Sequence, residues 1–319
     1  MTRGQKQRIE SVHFIRYGLP ADSRDTSAQP ALRLLVKWFG LRWVAVWRVS
    51  RDTAASSRFV TDSRDMICSV QYDDYESFAG FTGRFFMSDP IFAIIPAGGV
   101  GARAVTGDRQ IPKQYCPIDG IPMLQLAVQA LQRDSRVAAV HIGVTAEDTW
   151  IGTLEFGDNV HIHRTAGATR ALTVSATLEA ALDHHGDQGW ALVHDAARPG
   201  LQPESLTALI DACLQQNKGG LLAMPVPDTV KRAQVDDQQQ VCVGQTVSRE
   251  GLWLAQTPQL FPAKALLQAL TAALREGLDI TDEASAMEAA GCRPLLIPGT
   301  AHNMKVTWPA DFAMVEKWL

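Results

Sequence analysis

The chain has 319 residues, 46% apolar and 20% charged, enough to bury a sizeable core in one large domain or two smaller ones. A formal net charge of -4 argues against a general nucleic-acid binder but leaves room for a local basic pocket that takes phosphates. Five scattered cysteines, Cys68, Cys116, Cys213, Cys242 and Cys292, form no CxxC pair and no zinc spacing, so a reduced, cytoplasmic setting is expected.

In chain order, the first ninety residues hold Arg, Ser and Asp throughout and show no sustained helix or strand period. The chain is therefore expected to divide into a leader, residues 1–86, and a main domain, residues 87–319. Residues 32–49 are the most apolar part of the leader, but Arg33, Lys37, Arg42 and Arg48 interrupt them, so no membrane span and no membrane partner is expected. The order of a secretory signal is also missing. Three readings are open. Trp38, Trp43 and Trp47 among arginines suit an interfacial or partner-binding helix over residues 34–49. The leader could instead be a small ordered extension. The favoured reading is that it is not functional protein, because Met87 stands just before the first strand of the main domain and is a natural start.

From residue 90 onward, short apolar runs alternate with amphipathic helices, the pattern of an α/β protein with a mostly parallel twisted sheet flanked by helices. Strands are expected over residues 91–96, 138–144, 160–163, 190–194 and 220–226. Helices are expected over 122–131 and 171–182, with another starting at Pro203. Helical crossovers would join the parallel strands, and ligands would bind at the strands' carboxyl ends. Residues 226–253 lapse into a polar excursion, most simply an exposed hairpin with its tip at 236–240. Residues 304–307, MKVT, look strand-like ahead of a helix opening at Pro309.

The first strand runs straight into PAGGVGAR, residues 96–103. Glycines at 98, 99 and 101 allow backbone N–H groups to approach phosphate oxygens. The spacing is neither that of a Walker loop nor the dinucleotide fingerprint GxGxxG. Arg103, and Lys113 in the following PKQY, supply two fixed cations of the kind nucleotidyl transfer requires, since charge builds on the α-phosphoryl oxygens and on departing pyrophosphate. Alone, the loop reads equally well as a surface turn with two solvated basic residues.

PAGGVGAR, PKQY, HDAARP (194–199), DTVKR (228–232), QTPQLF (256–261), TDEASAME (281–288) and NMKVT (303–307) occur in the order found in the 2-C-methyl-D-erythritol 4-phosphate cytidylyltransferases. Over about residues 90–319 the chain resembles that family, and the leader has no part in the resemblance. It implies a Rossmann-like nucleotidyltransferase fold with a protruding β-arm, and cytidylyl transfer from CTP to a sugar-alcohol phosphate. Arg103, Lys113 and Lys305 would be the catalytic cations. Ala97, Gly98, Gly99 and Gly101 in the first loop, with Gly167 and Thr173 in the second, would bind CTP. Ala168 stands where some relatives have an acidic residue, so recognition of the cytosine amino group there would be by backbone.

By the same resemblance, Asp195 and Arg198 would grip the acceptor, and Asp195 would organise Mg²⁺. An Asp–Arg pair three residues apart is also an ordinary local salt bridge. The 226–253 arm would exchange contacts with a twin subunit in a homodimer, bringing Thr229 and Arg249 to the neighbouring site, while Thr257 serves its own. Thr281, Asp282 and Glu283 most simply cap the helix that follows, and Thr169 is most simply an N-cap. Two alternatives remain: ribitol 5-phosphate as the acceptor, or a nucleotide-binding relative without chemistry.

Overall fold

The computed structural model describes residues 89–99 and 111–319, together with the backbone of four strands nearer the start. The chain divides into two compact units, Met1–Ser88 and Asp89–Leu319. In the first, β1 (Leu32–Phe39) pairs antiparallel with β2 (Arg42–Val49), and β3 (Asp65–Ser69) with β4 (Thr82–Phe86). Residues 34–49, for which a helix was one of three readings, thus form a hairpin instead. Val, Trp and Phe favour strands. Met87 lies outside the described residues.

The second unit is built on a seven-stranded sheet. Its strands are β5 (Ile91–Pro96), β8 (Val137–Gly143), β9 (Val160–His163), β10 (Trp190–Val193), β11 (Gly220–Pro225), β14 (Trp253–Pro262) and β15 (Leu295–Pro298). Two-residue strands β6 (Pro117–Ile118) and β7 (Ile121–Pro122) form a small ladder, and β12 (Val230–Val235) with β13 (Val241–Val247) forms a hairpin. The sheet order is β15-β11-β14-β10-β5-β8-β9. β10, β5, β8 and β9 run parallel, β11 is parallel to β15, and β14 is antiparallel to both neighbours. The mostly parallel α/β sheet follows the sequence pattern. One crossover differs, because between β8 and β9 the chain forms only a 3-10 turn, Ile151–Thr153, instead of a helix.

Both faces of the sheet are buried, which is why its central strands are apolar without a break. Ile91, Ala93 and Ile95 of β5 point into one core with α1 (Met123–Leu131) and α3 (Pro203–Gln216). Phe92 and Ile94 point into the other, with α2 (Arg170–His185), α4 (Ala263–Arg275) and α5 (Glu283–Ala289). In α2, Ala171, Val174, Leu178, Ala181 and Leu182 recur every three or four residues, giving one apolar stripe. Thr169 accepts a hydrogen bond from the Leu172 N–H at the start of α2, the expected N-cap. Pro203 begins α3, as expected of a residue without an N–H to satisfy, and α6 (Pro309–Glu316) likewise opens on proline.

Candidate active site

The chain leaves β5 toward β8 and β9 on one side of the sheet and returns to β10 on the other. Where a parallel sheet divides in this way, a crevice opens at the carboxyl ends of the two strands. Ala97 and Gly98 run out of β5 at this edge, and His194 and Asp195 run out of β10. The Ala97 N–H donates to the Gly143 carbonyl at 2.8 Å, and Gln114 Nε2 donates to the Ala97 carbonyl at 2.8 Å. The PKQY segment thus holds the start of the glycine loop. At Gly98 a Cβ would fall 2.3 Å from that of Ala166, so this loop lies against the one that follows β9, while a Cβ at Gly99 would meet no atom of the described residues within 4 Å. Gly101, Arg103 and residues 104–110 lie outside the described residues.

In the second loop the Gly167 N–H donates to Thr173 Oγ1 at 3.1 Å, and that hydroxyl donates to the Thr169 carbonyl at 3.0 Å. Thr173 is buried, and its hydroxyl is committed to the shape of the loop. It thus fixes Gly167 in place.

Asp195 is the electrostatic centre of the cleft. Its Oδ1 accepts from Arg170 Nε at 2.9 Å, and its Oδ2 meets Lys305 Nζ at 2.9 Å and Arg198 Nε at 3.4 Å. Burial alone would raise this carboxyl's pKa, but Arg170, Lys305 and Arg198 together hold it well below the usual range. The local Asp195–Arg198 bridge is therefore real, and it is part of a larger cluster. Arg170 turns its other edge to Glu283, with Nη1 at 2.6 Å and Nη2 at 3.1 Å from the two carboxylate oxygens. Burial opposes its charge, and the two carboxylates more than restore it. Lys113 Nζ donates to the Val306 carbonyl at 2.7 Å, next to Lys305. The MKVT segment is not a strand, because its backbone meets Ala197 through one bond, Val306 N–H to the Ala197 carbonyl, and forms no ladder.

Thr257 and His194 lock the turn that carries Asp195. Thr257 Oγ1 accepts from the Asp195 N–H at 2.9 Å and lies 3.1 Å from His194 Nδ1, while His194 Nε2 lies 3.0 Å from the Arg198 carbonyl. A carbonyl only accepts, so Nε2 carries the proton and Nδ1 receives the threonine's. Burial pushes the His194 pKa down to about 4, consistent with that neutral tautomer. Thr229 and Arg249 are elsewhere. Both are exposed at the base of the β12–β13 hairpin, where Arg249 donates to the Pro227 carbonyl, and neither lines this chain's cleft.

Five other histidines crowd the face of the sheet under the end of α2. His141 Nδ1 lies 2.8 Å from His163 Nε2, and its Nε2 lies 2.9 Å from His185 Nε2; His161 and His184 complete the group. Burial and mutual repulsion lower the His141 pKa to about 3 and the His185 pKa to about 4. Among the described residues, no three His, Cys, Asp or Glu side chains are grouped so as to hold a metal ion.

Residues 91–319 match the 2-C-methyl-D-erythritol 4-phosphate cytidylyltransferase (IspD) family. The chain belongs to this family. A family member from Bordetella pertussis is 50% identical over 238 residues, which cover 73% of this chain and all of the relative. A solved 4-diphosphocytidyl-2C-methyl-D-erythritol synthase is 37% identical with a TM-score of 0.62, covering 73% of this chain and 99% of the other. The cytidylyltransferase from Francisella tularensis is 28% identical with a TM-score of 0.61, covering 72% and 100%. Several of the quoted motifs converge in space. PKQY, HDAARP, QTPQLF and NMKVT meet at one edge, with Lys113, Asp195, Arg198, Thr257 and Lys305 in or beside the cleft.

Sequence reasoning missed Arg170, Glu283, His194 and Asn303 as site residues, although all but Arg170 lie inside a quoted motif. Asn303 Nδ2 donates to the Thr257 carbonyl at 2.7 Å, and its own carbonyl accepts from Arg198 at 2.8 Å. A second carboxylate beside the cap in TDEASAME and an arginine directly after Thr169 were the available signal. Capping explained TDEASAME sufficiently that no partner was sought for Glu283.

Proposed function

We propose that the chain transfers a cytidylyl group from CTP to 2-C-methyl-D-erythritol 4-phosphate, releasing pyrophosphate, as a step of isoprenoid precursor synthesis. The observation that carries this reading is the convergence of Lys113 and Lys305, 192 positions apart in sequence, beside Asp195 and Arg198 at the carboxyl edge of β5 and β10. A phosphate monoester has a second pKa of about 6, so near neutral pH the acceptor is already an anionic nucleophile and needs no general base. Its oxygen forms a bond to the α-phosphorus of CTP. The bond from that phosphorus to the bridging oxygen breaks, and the electron pair leaves with pyrophosphate.

The obstacle is repulsion between two anions. Lys113 and Lys305 offset it, Arg198 forks onto phosphate oxygens, and Arg103 adds a further cation by family likeness. A hard, oxygen-only donor set of one carboxylate and several phosphate oxygens suits Mg²⁺, which keeps few protein ligands. Asp195 would hold it, with Lys305 turning from Oδ2 to a phosphate. Bound there, the ion supplies further charge neutralisation at the phosphates. Gly98, Gly99 and Gly167 place backbone around the nucleotide, and Thr257 holds the Asp195 turn.

The β12–β13 arm, with Val235, Val241 and Val243 each more than 60% exposed, is the surface through which we propose a homodimer forms, with Thr229 and Arg249 completing the partner's site. The chemistry is tested by Lys113→Ala in a pyrophosphate-release assay. A loss of roughly 3 kcal/mol of transition-state stabilisation, on the order of 100-fold or more in turnover, is expected by analogy with a single lost oxyanion donor. Turnover near that of the unaltered protein would refute the assignment. Ribitol 5-phosphate run in parallel should be the poorer acceptor.

A further inference from the structure

The carboxylate that anchors the cleft is not positioned by its own strand alone. Arg170, the first residue of α2, reaches Asp195 Oδ1 with Nε and Glu283 with both Nη atoms, so three of its five N–H directions end on carboxylate oxygens. Glu283 is fully buried, and its side chain has no exposure to spare for water. It is the first residue of α5, and the start of that helix is itself fixed in two ways. Asp282 caps it through the Ser285 N–H at 2.9 Å, and Gln259 of β14 bridges it, donating to Asp282 at 2.8 Å and accepting from the Ala284 N–H at 2.8 Å. A rigid strand and a capped helix thus hold a buried anion, that anion orients a guanidinium, and the guanidinium orients the cleft's carboxylate.

We propose that Arg170 and Glu283 are a positioning pair for the transfer reaction. They fix Asp195 Oδ1 so that Oδ2 is the oxygen presented on the Lys305 side, where acceptor and metal meet. The inference rests on the proposed cytidylyl transfer. Glu283 matters as much as Arg170, because without it the guanidinium has only Asp195 to bind and is free to rotate into the cleft as a loose cation. A bidentate Arg–carboxylate fork sets an angle as well as a charge, which lysine cannot reproduce.

The test uses the full chain carrying Glu283→Gln, Arg170→Lys, or both, with each substrate varied in turn, CTP binding followed by calorimetry, and thermal melting recorded. Partners that orient a functional group typically affect performance by about 10- to 100-fold when changed. A loss of that size is expected in kcat/KM for 2-C-methyl-D-erythritol 4-phosphate, with the CTP dissociation constant unchanged within about twofold. The double variant should cost little beyond either single one, because the pair acts as a unit. Equal losses toward both substrates that track a lowered melting temperature, or loss of the folded state in both single variants, would make the pair a stabiliser only and overturn the proposal. An active unaltered protein with Glu283→Gln and Arg170→Lys equally active also overturns it. An unaltered protein that releases no pyrophosphate removes the functional reading, and this inference with it.

Discussion

Asp195 is a buried charge outnumbered by its partners. Counting Arg170, Arg198 and Lys305 against Asp195 and Glu283, the cluster carries one net positive charge, 3 - 2 = +1. A buried pair that is fully hydrogen-bonded contributes little net stability, but removing one partner leaves an uncompensated charge and is costly. An excess of one cation is therefore meaningful when it borders a cleft, because an incoming phosphate completes the balance. The same close tolerance holds at Gly98, where any side chain collides with Ala166. Gly98→Ala should displace the first loop and weaken CTP binding by about 10- to 100-fold, since displacements near 1 Å have effects of that size. Calorimetry with CTP alone reads this directly, and an unchanged affinity would mean that the 164–169 loop gives way instead.

At the scale of elements, His141, His161, His163 and His185, which join β8, β9 and the end of α2, make the second unit sensitive to pH. Their folded pKa values lie below the ordinary value near 6.5, so the unfolded chain binds protons first as pH falls. Stability conferred by neutral imidazoles is complete above about pH 6.5 and is lost as pH falls toward 4, by about 1.4 kcal/mol per pH unit for each proton held only by the unfolded state. The low-pKa carboxyl of Asp195 adds to the loss only below about pH 4. Urea unfolding at pH 7, 6 and 5 should therefore show a falling midpoint, and His141→Gln should flatten that fall. A midpoint constant across this range would contradict the account.

Elements were legible where a single period dominated. β5, β9, α2 and α3 follow their apolar stripes, and the 226–253 hairpin follows from its loss of pattern. The leader hairpin over 32–49 was not read from the sequence because Leu35, Phe39, Val44 and Val46 fall where a period of two calls for polar residues. β14 was quoted as a motif but not read as a strand, since Pro258 demotes a central strand by rule. Here Pro258 lies beyond the last β10 pair, Val193 with Gln259, and within the irregularity in the β11 ladder, so its missing N–H disturbs neither neighbour. The cleft was legible as a set of motifs, whereas the bond between Arg170 and Glu283, 113 residues apart, joins two segments that each had a sufficient local explanation as helix starts.

For the whole molecule, the proposed arm exchange makes a strong prediction. If Arg249 serves the partner's site, neither Lys113→Ala nor Arg249→Ala protein should be active alone. Unfolding and refolding the two together should then restore about a quarter of full activity, because half the dimers are mixed and each mixed dimer holds one intact site. No recovery from a mixture shown by sedimentation to be dimeric would place Arg249 in its own chain's site or in none. The path of the chain has one further consequence. All seven strands of the central sheet are complete by Pro298, yet Lys305 and the carbonyl that receives Lys113 come later. A message cut short after Pro298 would therefore encode every strand of the sheet but lack Lys305, so the chemistry arrives only after the sheet is complete.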